Sequence, residues 1–109
     1  MAVDEKLAER IRKALRRRKG IEEKKTFGGL CFLMNGHMLV GVWEDSMIAR
    51  LGLEQEEAAL LEPHVRRLDI KRKPMKGWVV VELEGVMDDS AVKKWVQRAV
   101  KFVGSLPAK

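Results

Sequence analysis

Two apolar runs, Leu30 to Met34 and Met38 to Val42, stand either side of Asn35, Gly36 and His37, and this stretch constrains the fold more than any other. Asn-Gly between strand-like runs signals a two-residue type I′ turn, because both residues tolerate the positive φ which that turn demands. Just upstream, Gly28-Gly29 is a second permissive point, suited to a bulge or to a backbone that passes close to another group. Thr26 to Val42 is therefore predicted to be a hairpin on which the rest of the chain is arranged.

The flanks read as follows. From Asp4 to Lys19, Val3, Leu7, Ile11, Ala14 and Leu15 recur at helical spacing, with acidic residues at the start, basic ones at the end and Gly20 as the C′ stop. Ile21 to Phe27 is extended and leads into the hairpin. Beyond the hairpin, Trp43 to Ser46 is a polar turn and Met47 to Leu51 a short strand. Glu54 to Leu61 is a brief helix ended by Pro63, with Ala58, Leu60 and Leu61 predicted to face inward. Val65 to Ile70 alternates imperfectly, as an edge strand does. Lys71 to Gly77 reads as a basic loop, and Trp78 to Leu83 as the clearest strand in the chain. Asp88-Asp89-Ser90 caps a last helix whose buried stripe is Val92, Trp95, Val96, Ala99, Val100 and Val103. The order α-β-β-β-β-α-β-β-α, with short links between strands, predicts an α+β fold. Its mostly antiparallel sheet of five to six strands would carry the helices on one face.

At 109 residues the chain is expected to form a single domain over residues 1–109. One cysteine rules out an internal disulfide and fits a reducing cytoplasm. No apolar run approaches the ~18 residues of a membrane span, and the start has no signal-peptide pattern, so a cytoplasmic protein without membrane contact is expected.

Chemistry is sparse. His37 and His64 lie in separate turns, neither spaced from Cys31 as zinc ligands would be. A Cys31–His37 nucleophilic pair would need strand pairing to join them, while alternation places Cys31 in the core. Gly28-Gly29 has no following Gly-Lys-Ser/Thr and so is no phosphate loop. Helix capping accounts for Asp88-Asp89. No catalytic residue, cofactor or metal is expected.

Charge is more suggestive. The net charge is +6, from 22 Lys and Arg against 16 Asp and Glu. Two segments concentrate it, Arg12 to Lys19 and Arg66 to Lys76. The simplest reading is dispersed, solvated side chains. Were the first helix end to meet the later segment, Arg16, Arg17, Arg18, Lys71, Arg72, Lys73 and Lys76 would form a patch able to follow a phosphate backbone. No exposed aromatic ladder accompanies them, so base stacking is not indicated.

Three stretches carry a family likeness: KKTFGGLCFLMNGHM at 24–38, PMKGWV at 74–79, and D-D-x5-W-V-x2-A at 88–99. They resemble the N-terminal domain of the TfoX/Sxy family, named for bacterial competence regulators. The motif residues are Phe27, Gly28, Gly29, Phe32, Asn35, Gly36, Pro74, Met75, Gly77 and Trp78. The resemblance implies a compact α+β domain similar to secretion chaperones, standing alone here without the second, helical domain of the full-length regulators. It implies transcriptional co-activation beside a DNA-bound activator, and no established catalytic residues. The expected function is thus a small non-enzymatic regulatory or interaction module with a protein partner, such as the transcription machinery. Sequence-independent nucleic-acid binding through the basic patch is the alternative, and small-molecule binding near Gly28, Gly29 and the Pro74 to Trp78 segment a third. Open sheet edges and the dimerisation of the related chaperones point to a homodimer.

Overall fold

Each turn and cap is set by local chemistry, and the sheet follows from them. The computed structural model describes residues 4–26, 29–70 and 73–107. Strand β2 (Gly29–Met34) returns as β3 (His37–Trp43) through Asn35 at φ 53° and Gly36 at φ 85°, the two left-handed residues of a type I′ turn. His37 opens β3, opposite Met34, rather than sitting in the turn. Strand β1 (Ile21–Thr26) lines β2 on one side, and β4 (Ser46–Arg50) lines β3 on the other. Strands β5 (Val65–Ile70) and β6 (Lys73–Val81) complete a six-stranded sheet in the order β1-β2-β3-β4-β6-β5, antiparallel at every pairing. β5 is an edge, as its imperfect alternation predicts.

In antiparallel register, directly opposed residues share a face. Leu30, Val42, Met47 and Val81 make one row across the sheet, and Phe32, Val40, Ala49 and Val79 the next. Both rows are buried in the main core with three helices, α1 (Glu5–Leu15), α2 (Leu53–Leu60) and α3 (Asp89–Val103). The fold is therefore α+β, with the helices on one face of the sheet. Every residue predicted for the α3 stripe is buried, Trp95 to 4% exposure. The opposite face holds a smaller cluster of Leu68, Trp78 and Val80, flanked by Met38 and Ile48.

Side-chain capping explains where α1 and α3 begin. The Asp4 carboxylate accepts from the N–H groups of Lys6 and Leu7 at 3.0 and 3.1 Å, and Asp88 accepts from Ala91 at 2.7 Å. Four predicted details differ. First, α1 ends at Leu15, so Gly20 is not its C′ residue; at φ 77° it bends the chain into β1, and its carbonyl accepts from Asn35 N–H at 3.0 Å. Second, α2 turns Ala59 inward, while Ala58 is exposed and Leu61 is 89% exposed. Its rotation is set by Glu56, which accepts from Gly77 N–H at 3.0 Å and pairs with Arg67 at 3.7 Å.

Third, Lys73 to Gly77 belong to β6 rather than to a loop. Lys73 faces Ile70 and Pro74 faces Asp69, where β6 has outrun β4 and a missing N–H is tolerated. At the other end β6 stops at Val81, and Leu83–Gly85 is a 3-10 turn. Fourth, β3 is not the even apolar run the sequence suggests: a bulge makes Leu39 the extra residue between Phe32↔Val40 and Leu33↔Met38. Gly29 serves the close approach that was one of the two uses expected of its position, since a Cβ there would run into the Val42 carbonyl oxygen. Phe27, Gly28, Lys71 and Arg72 lie outside the described residues.

Candidate anion-binding cleft

Along α1 and just past it, Arg10, Lys13, Ala14 and Arg17 follow one another at i, i+3, i+4 and i+7, which brings them to one side of the helix. The start of α3 packs against that side. Between the two runs a cleft of about 440 Å³, lined by Arg10, Lys13, Ala14, Arg16, Arg17, Asp89 and Lys93. Among the described residues, five cationic side chains thus face one carboxylate. Asp89 lies 3.5 Å from Arg10 Nε and 3.3 Å from Lys13 Nζ. Arg10 also approaches the Val86 carbonyl at 3.5 Å. Among the described residues, no carboxylate lies within 4 Å of Arg16, Arg17 or Lys93, so their charge is met by solvent alone.

Three cations outside the cleft are engaged in ion pairs with well-defined partners. Arg12 forms a two-pronged pair with Glu23 of β1, at 2.5 and 3.2 Å, and also meets Glu9 at 3.1 Å. The Glu23 hydrogen bond raises the Arg12 guanidinium above its already high pKa, so it stays charged. Past α2, Glu62 accepts from Lys94 at 3.2 Å and from Arg98 at 2.6 Å. Burial alone would raise the Glu62 pKa, but the Arg98 and Lys94 hydrogen bonds outweigh it and hold the carboxyl below its ordinary value. Arg98 also lies 4.4 Å from the centre of the Trp95 ring.

The residues predicted for a basic patch divide. Arg16 and Arg17 line the cleft, and Arg18 follows them on the exposed link to β1. Lys73 and Lys76 sit in β6, four strand spacings or about 19 Å across the sheet from β1. His37, at the start of β3, lies with its Nε2 2.6 Å from the Pro107 carbonyl beyond α3. Arg10, Lys13, Asp89 and Lys93 were not singled out as site residues from the sequence. The helical spacing of Arg10, Lys13 and Arg17 was the available signal for three of the cleft cations.

The motif residues that the structure describes lie in the sheet and its hairpin turn. Phe32 is buried in the main core, and Asn35 and Gly36 make the hairpin turn. Gly77, at φ 87°, accepts at its carbonyl from Leu51 and Gly52 at 2.8 and 3.0 Å. Trp78 is buried on the far face, 5.7 Å from the Arg50 guanidinium. Pro74 and Met75 lie on the β6 backbone.

Cys31 is buried to 8% exposure, but in the row with Gly41 and Ile48, on the face away from the helices rather than in the main core. It stands three residues, or about 10 Å, along β2 from the Met34–His37 pair, so strand pairing does not bring Cys31 and His37 together. Among the described residues no three His, Cys, Asp or Glu side chains converge as metal ligands would. No described helix is long and apolar enough to cross a membrane.

A family model described as the TfoX N-terminal domain matches residues 13–103, a span that includes every cleft residue except Arg10. No curated protein and no solved structure matches the chain. The matching family is not a known enzyme family. With the match covering most of the chain, and the hairpin motif placed where it builds the sheet, the protein belongs to the TfoX N-terminal domain family.

Proposed function

We propose that this domain is a non-enzymatic regulatory interaction module, of the kind the TfoX likeness implies for control of transcription, and that the α1–α3 cleft is its working surface. The observation that carries this reading is the charge imbalance in the cleft, where Arg16, Arg17 and Lys93 face solvent without a carboxylate partner among the described residues. Like charges held together on a folded surface repel one another, and a partner of opposite sign relieves that repulsion. The shifted ionisable groups, Arg12 and Glu62, have structural work instead, since each closes an ion pair between neighbouring elements.

The test is affinity capture from the native cell with the wild-type chain and with Arg16→Gln/Arg17→Gln/Lys93→Gln, followed by mass spectrometry of proteins and sequencing of nucleic acids. The expected result is a partner held by the wild type and lost by the triple variant. Identical captured sets would remove the cleft from the function.

A further inference from the structure

We propose that the cleft seats consecutive phosphates of a duplex nucleic-acid backbone, and that Asp89 acts as an internal counter-anion which those phosphates displace. The inference rests on the cleft being the working surface and names what occupies it.

The lining decides the class of occupant. Protein interfaces draw most of their affinity from buried apolar and aromatic anchors at their centre. Here Ala14 is the one apolar residue among the seven described residues that line the cleft. With no aromatic ring among the described lining to stack on a base, neither a single strand nor a free nucleotide finds more than charge there. What remains suits a repeating phosphate chain, whose interfaces are polar and strongly basic. From Arg10 to Arg16 the cations extend over ~9 Å of helix axis, the axial rise of two to three nucleotides in one strand. Arginine forks and lysine ammonium groups both bind phosphate oxygens, and neither reads base identity from the backbone.

Asp89 completes the device. Its carboxylate already bridges Arg10 and Lys13 in the manner of a bound anion. Asp88, not Asp89, caps α3, so the Asp89 side chain is not spent on the helix start. An incoming phosphate therefore competes with Asp89 for two of the five cations, which sets the affinity below what the cations alone would reach.

The experiment is fluorescence anisotropy with labelled DNA and RNA duplexes of two unrelated sequences, at salt concentrations from 50 to 300 mM. The proteins are the wild type, Arg16→Gln/Arg17→Gln/Lys93→Gln and Asp89→Asn, each checked for an unchanged melting curve. Three to five contacts at about 0.9 each give the wild type a log–log salt slope between about −3 and −4.5 on DNA. The triple variant should be shallower by about 2 to 3. Asp89→Asn should bind about fivefold tighter at 50 mM salt, the size of one contact between unit charges in water. Binding should be equal for both sequences, and the DNA and RNA arms identify which backbone fits. An unchanged slope in the triple variant, or weaker binding by Asp89→Asn, overturns the proposal. So does a poly-glutamate peptide that binds the cleft when neither duplex does; in that case the cleft remains the working surface and its occupant is an acidic protein. Should cellular capture also ignore the triple variant, both readings fall together.

Discussion

At the junction of α2 and α3 one carboxylate, Glu62, faces two cations; at the junction of α1 and α3 one carboxylate, Asp89, faces five. The two places share a helix and a chemistry, yet only the first is closed. Glu62 is 31% exposed and Arg98 20%, with the guanidinium lying over the Trp95 ring, so that pair is partly desolvated and held from below. Asp89 is 61% exposed, and its two partners reach separate carboxylate oxygens. What separates a structural clasp from an open binding surface here is the ratio of charges and their access to water, together with the closer contact of Arg98, at 2.6 Å against 3.3 and 3.5 Å around Asp89.

Substitutions can test that contrast, beginning with the floor beneath the clasp. Trp95→Ala should cost about 3–5 kcal/mol, because a large buried side chain leaves a cavity on which both Arg98 and the α3 stripe rest. Chemical denaturation measures it, and ready quenching of the native Trp95 fluorescence would show that this face of α3 is not the floor.

A smaller effect separates the junctions directly. Arg98→Ala should cost about 1–3 kcal/mol, since it strips the half-buried Glu62 of its shortest hydrogen bond, while Lys93→Ala on the cleft side should stay within about 0.5 kcal/mol. Equal losses for the two would erase the distinction.

Acid sharpens the same contrast. A carboxyl held below its ordinary value of 4.5 contributes stability that is complete above that pH and fades as pH falls through the lower folded-state value. Stability measured downward from pH 4.5 should therefore decline in the wild type, and the part due to Glu62 should be missing in Arg98→Ala. Parallel curves for the two proteins would mean that Glu62 is not the responsible group.

The smallest effect belongs to the cleft. Arg16→Ala/Arg17→Ala should change the melting temperature little, with a slight rise at low salt as repulsion is relieved and none at 0.5 M, where screening is short-ranged. A marked destabilisation would reassign these side chains to the fold.

The fold was legible wherever a local rule acts alone. Asn35-Gly36 specifies its turn through φ, Asp88 its helix through one hydrogen bond, and the α3 stripe its burial through period. Legibility failed where a distant partner outvoted the local pattern. Leu61 has the composition of a core residue, but the bond from Gly77 N–H to Glu56 rotates α2 so that Leu61 meets water. Lys73 to Gly77 look like a loop until β5 pairs with Lys73 and Pro74 at its start. The cleft failed in the same way, because Lys13 and Asp89 are 76 positions apart and nothing in their spacing announces their approach.

One small contact has a consequence for how such chains can change over generations. Gly20 carries a positive φ, and a Cβ there would stand 2.4 Å from Asn35 Oδ1, while Asn35 N–H bonds back to the Gly20 carbonyl. The hairpin turn and the bend into β1 are thus tied to each other. An alanine at position 20 collides with Asn35 and strains its own backbone, and a glycine at position 35 removes the collision but not the strain. Position 20 is therefore held to glycine by its own φ whatever stands opposite, while position 35 can pass between asparagine and glycine, both of which accept the left-handed turn and keep the backbone bond to the Gly20 carbonyl.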